Sequence, residues 1–139
     1  MLETLFGLAN GGALAGWVTL LASPWAPRAS QAVAGLAVPL LLSGGYVALI
    51  LAFLGPAEGG FGSLAEVTAL FSVPEVVLAG WVHYLAFDLL IGAMIVRQAR
   101  AEGMPFLLVL PCLPLTFLVG PAGWLLFQVV RGARRGAGA

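Results

Sequence analysis

Four stretches of this chain, residues 4–22, 32–54, 76–96 and 105–130, are long and apolar, and almost every charged residue lies outside them. About 20 mostly apolar residues are enough to cross the hydrocarbon core of a bilayer as a helix. In lipid every backbone N–H and C=O must be satisfied within the protein, so helices are the form such segments take. Only 9% of the residues are charged and the mean hydropathy is +1.06. A water-soluble domain has roughly a quarter of its residues charged. The sequence therefore predicts an all-α, polytopic membrane protein of about four transmembrane helices, with residues 1–139 forming one transmembrane domain.

The ends of these segments are marked. Residues 4–22, rich in Gly and Ala, stop at Ser23-Pro24-Trp25-Ala26-Pro27-Arg28, a turn at the membrane surface with Trp25 as an interfacial anchor. Glu3 stands where a signal peptide would carry basic residues, so the first stretch reads as a span. The second has Pro39 in its first turns and ends at Gly55-Pro56. Residues 57–74 form the longest polar connection. Within it Leu64, Val67, Leu70 and Phe71 recur at helical spacing after a cap at Ser63, which predicts a short amphipathic helix at the interface. The third span opens after Pro74-Glu75 and ends at Arg97, Arg100 and Gly103. The last segment is interrupted by Pro111, Pro114 and Gly120-Pro121, so it is kinked or broken.

That last segment has two courses. A single crossing, the default, puts the tail arginines Arg131, Arg134 and Arg135 on the side of Glu3, Glu58, Glu66 and Glu75. A re-entrant course puts all six arginines on one side, which the positive-inside rule prefers.

Trp81-Val82-His83-Tyr84-Leu85-Ala86-Phe87-Asp88 holds the strongly polar pair of the apolar stretches. A charged Asp at mid-membrane costs about 2.5–3.5 kcal/mol on insertion scales, so it is expected to face the bundle interior and to serve function. His83 and Asp88 are five residues apart, about 140° around a helix, too divergent to share one metal ion. They suit opposite ends of an elongated ligand, or one acts while the other organises partners. Tyr84 and Asp88, four apart, lie on one face. The alternative for both ionisable groups is packing, in which each bonds a neighbouring helix. Asn10 and Trp17, seven apart, share a face of the first span; Asn10 has two readings, a bond to His83 or Asp88 and a helix-packing contact. Trp81 is the tryptophan placed best to wall a ligand.

Other chemistry is excluded. There is no P-loop, GxSxG elbow or dinucleotide fingerprint, and one His with one apolar Cys112 gives no metal site. The expectation is no metal and no cofactor. A net charge of zero without a basic stripe gives no reason for a nucleic-acid partner.

The stretch from Trp81 to Leu89, preceded by Leu70-Phe71-Ser72, resembles the neoxanthin-synthase-like, abscisic-acid-deficient membrane family. Phe6-Gly-Leu8-Ala9-Asn10, Trp17 with Pro24, and Thr116-Phe117 leading to Gly120-Pro121-Ala-Gly123 add to the resemblance, which covers nearly the whole chain. It implies about four spans and a carotenoid-like apolar ligand. Plant members act in isomerising a xanthophyll epoxide to an allenic alcohol. In that reading a protonated Asp88 donates, His83 is the base, and Asn10, Trp17, Trp81 and Tyr84 line the ligand. The Gly/Ala/Arg-rich composition looks bacterial, which places the chain in an inner membrane, among membrane lipids and open to homo-oligomers. The alternatives are a non-catalytic binder of an apolar ligand that assists a membrane complex, and a small transporter with Asp88 in its path.

Overall fold

A computed structural model describes residues 1–137 and is built from helices. Three are long and apolar enough to cross a membrane: α1, Leu2–Leu21; α2, Pro27–Phe53; and α4, Pro74–Ala101. Between the second and third lies the short α3, Leu64–Leu70. The last segment forms α5, Phe106–Val119, interrupted at Leu110-Pro111, and α6, Pro121–Ala137. The chain is all-helical and polytopic, as its hydropathy predicts.

α2 starts earlier than the apolar run does. Pro27 fits the first turn of a helix, where no N–H is needed, so the polar turn up to Gln31 is helical too. Pro39 then falls in the helix interior rather than in its first turns. A π-helical turn over Val33–Ala37 precedes it and widens the coil where the proline removes a backbone bond. The helix is tied down beside it: Gln31 Nε2 donates to the Ala93 carbonyl of α4 at 3.1 Å.

α4 is the central helix, packed by every long neighbour. Glycines set the approach. On α1, a Cβ at Gly16 would strike Leu89, and on α4 a Cβ at Gly92 would come within 2.7 Å of the Trp17 ring. Such close backbone approach replaces the hydrophobic drive that lipid does not supply. Leu20, Leu89, Ile95, Leu113 and Phe127 are sealed in the resulting core.

The short helix of the polar connection forms where its sequence predicts. The Ser63 hydroxyl accepts from the Glu66 N–H at 3.2 Å, and the Glu66 carboxylate accepts from the Gly62 N–H at 2.9 Å. Leu70 is buried and Phe71 packs over Gly80 of α4, while Leu64 stays exposed.

Of its two courses, the last segment folds as the re-entrant one requires, against the default of a single crossing. The 14 residues of α5 rise only about 21 Å, short of the ~30 Å hydrocarbon core. At Gly120, with φ +25°, the chain reverses. Gly123 of α6 then lies against Thr116 and against the Cys112 carbonyl, eleven residues back, which no continuous helix allows. The return is clasped at its end. Arg131 Nε lies 2.7 and 2.9 Å from the two Glu102 oxygens, Arg135 reaches Glu102 at 3.1 Å, and Arg134 donates to the Gly103 carbonyl at 3.0 Å. The fold is thus three helices long and apolar enough to cross a membrane and a helical hairpin, at whose turn Gly120 is buried against α4 while Leu118 and Val119 stay exposed. All six arginines lie on one face, with Glu102 beside them, and Glu3, Glu58, Glu66 and Glu75 lie on the other.

Candidate functional site

His83 and Asp88 both lie near the middle of α4 but open to different neighbours. His83 is exposed rather than turned to the interior, contrary to the expectation for an ionisable group at this depth. Its ring stacks on Phe87, one turn along, with centroids 4.6 Å apart, and meets Tyr46 of α2 at 5.4 Å. Tyr84 stands edge-on to it at 6.4 Å. The imidazole forms one wall of a groove of about 340 Å³, with Tyr46, Tyr84, Phe61, Leu70 and Phe71 on the others. The groove runs between α2 and α4 toward the acidic face, where α3 and its preceding loop cover the end. It is open at the protein surface and is walled by rings and aliphatic groups alike, with the imidazole as its nitrogen-bearing group.

Asp88 is half-buried and faces the hairpin. Its carboxylate lies against Gly120, where an added Cβ would meet Oδ1 and stand 3.2 Å from Cγ. The N-terminal end of α6 follows directly, so the positive end of that helix dipole points to the carboxylate. Neither Asp88 nor His83 makes an ion pair among the described residues. The two side chains therefore do not converge on one point, which the five-residue spacing already implied.

Asn10 takes the packing reading. Its Oδ1 accepts from Trp81 Nε1 at 3.1 Å and its Nδ2 donates to the Phe6 carbonyl at 2.7 Å. Phe6 and Trp81 rings lie 5.7 Å apart. This pair locks α1 to α4 and leaves His83 and Asp88 without Asn10. Trp81, 43% exposed, walls a separate cavity of about 430 Å³ with Leu2, Phe6 and Pro74 at the acidic face. Trp17 does share the α4-facing side of α1 with Asn10. It is buried on Gly92, edge-on to Phe117 of the hairpin at 5.6 Å, with its indole N–H unpartnered. It walls a further apolar cavity, about 270 Å³, with Leu14, Leu113 and Pro114. Tyr84 sides with His83 and makes no hydrogen bond to Asp88.

Sequence reasoning missed Tyr46, Phe71 and Phe87 as site residues. Phe87 was readable, four residues after His83. Tyr46 and Phe71 reach the site through interhelical register, which no single helix encodes. Among the described residues no three His, Cys, Asp or Glu side chains cluster as a metal site would.

Residues 4–127 match the model of the ABA DEFICIENT 4-like family, and the chain belongs to that family. No curated protein and no solved structure matches the chain.

Proposed function

We propose that this ABA DEFICIENT 4-like protein is a membrane-embedded enzyme that isomerises a lipid-dissolved isoprenoid of carotenoid type in the His83 groove. The observation that carries the reading is one imidazole placed in an open groove between two apolar helices and otherwise walled by rings and aliphatic groups. A ligand dissolved in the bilayer enters such a groove without passing through water, and its rings pack on Tyr46, Phe71 and Tyr84.

Epoxide or double-bond isomerisation moves a proton and needs no electron. In the epoxide case a C–H bond and a C–O bond break, and a C=C and an O–H form. The carbon and the oxygen lie close together in the substrate, whereas His83 and Asp88 diverge around α4. The reaction is therefore assigned to His83 in both roles: neutral imidazole takes the proton from carbon, and the imidazolium returns it to oxygen. Asp88 is set aside as the acid and given the hairpin tip to hold. This departs from the two-group scheme that the family resemblance implied.

The same divergence favours a second reading, in which the groove binds an apolar ligand and transforms nothing. The two are separated by extracting lipids from the purified protein, identifying the bound isoprenoid by mass spectrometry, and incubating it with wild type and His83→Gln. The enzyme reading predicts conversion by wild type and a loss of about 10²–10⁴-fold in the variant. Unchanged isoprenoid recovered after incubation with wild type supports the binding reading instead.

A further inference from the structure

The arginine face holds a crevice that the His83 groove does not touch. It is about 130 Å³ in volume and lies where the end of α1, the end of α4 and the start of α5 meet. Ser23 and Arg100 bring its polar groups, and Val96, Met104, Phe106 and Val109 its apolar wall. Ser23 is 3% exposed, yet its hydroxyl makes no hydrogen bond among the described residues. Its oxygen is not among the sealed, unpartnered polar atoms of the described residues, which are Trp17 Nε1 and Ser30 Oγ, so it opens on the crevice and is free to bond a group there.

The six arginines of this face divide into two groups. Arg131, Arg134 and Arg135 are engaged by Glu102 and the Gly103 carbonyl. Arg97 makes one long hydrogen bond to Gln31, at 3.4 Å, and Arg28 and Arg100 make none among the described residues. The engaged group already uses Glu102, the acid on this face. Positive charge is thus left over beside α4, and Arg100 stands at the mouth of the crevice.

We propose that this crevice binds one anionic phospholipid, its phosphate on the Arg100 guanidinium and the Ser23 hydroxyl, and the first part of an acyl chain on Val96, Met104, Phe106 and Val109. Basic pockets between spans on the positively charged side of a membrane protein recognise such headgroups. A guanidinium meets a phosphate with paired, charge-assisted hydrogen bonds. The apolar wall favours a lipid over free phosphate. The surplus of arginine favours an anionic headgroup over a zwitterionic one, which would place a second cation beside Arg100.

The test is native mass spectrometry of the full chain released from micelles containing phosphatidylglycerol or phosphatidylcholine. One phosphatidylglycerol per chain is expected to stay bound, while phosphatidylcholine leaves. Arg100→Gln should reduce retention by at least about fivefold, the usual worth of one basic residue near a charged membrane surface. Ser23→Ala should reduce it less. Arg135→Gln removes the same charge elsewhere on the face and should leave retention unchanged. Equal retention of the two lipids by wild type overturns the proposal, whatever the variants do. So does equal loss in Arg100→Gln and Arg135→Gln, which would mean diffuse charge attraction, and so does displacement of the lipid by millimolar inorganic phosphate.

Discussion

Asp88 and His83 show how far a residue's identity predicts its task. Their depth in the third apolar run was legible, and so was their divergence, because both follow from position on one helix. Their neighbours were not. Asn10 met Trp81 because parallel packing of α1 on α4 is fixed by Gly16 on Leu89 and Gly92 on Trp17, a register that no single segment contains. The assignment of proton transfer to His83 alone makes the two substitutions unlike. His83→Gln should lose turnover by about 10²–10⁴-fold with its thermal unfolding unchanged, while Asp88→Asn stays within tenfold of wild type. A collapse of turnover in a well-folded Asp88→Asn would return the carboxyl to the chemistry. Gly120 is held at φ +25° with Asp88 against its Cα. Gly120→Ala introduces both a strained backbone and a collision, and should cost about 1–3 kcal/mol in a detergent unfolding assay. No measurable loss would mean that the tip does not rest on Asp88.

The elements were legible in proportion to how local their causes are. Ser63 and Glu66 specify the start of α3 by themselves, and that helix stands where the cap placed it. α2 needed Pro27 to be read as a beginning rather than as part of a turn, and its interior Pro39 is accommodated by a π-turn that apolar periodicity does not signal. The hairpin depends on a contact between distant parts of the chain. Gly120-Pro121 marked a break, but the direction taken after it is set by Gly123 closing on Thr116 and by Glu102 binding Arg131. That last pair gives the hairpin a pH dependence. Hydrogen bonding to Arg131 is the main reason the Glu102 carboxyl lies below its ordinary pKa of 4.5, and the charge of Arg131 and Arg135 adds to it. A carboxyl whose pKa is lowered on folding stabilises the fold above its unfolded value, and loses that contribution as pH falls through the folded one. Glu102→Gln should therefore lower the unfolding temperature at pH 7, and the gap from wild type should close as pH falls below about 4.5. A gap that persists unchanged at pH 3 would show that the clasp is not ionic.

At the scale of the whole molecule, the hairpin favours one of the two courses that hydropathy left open. One more crossing would have sent Arg131, Arg134 and Arg135 to the side of Glu3, Glu58, Glu66 and Glu75, whereas the return gathers all six arginines on one face. Positively charged loops stay on the side of synthesis. The rule therefore predicts that the arginine face is the cytoplasmic one and that the end of the His83 groove covered by α3 looks to the opposite leaflet. The tip beside Asp88, the lipid crevice beside Arg100 and the placing of the groove all rest on this course of the chain. It is tested most directly by single cysteines at Gly60, Gly103 and Gly136, introduced into Cys112→Ala and labelled with a membrane-impermeant thiol reagent from each side. Gly103 and Gly136 should react from the cytoplasmic side and Gly60 from the other. Labelling of Gly136 from the same side as Gly60 would show that the last segment crosses the membrane, and would contradict the account.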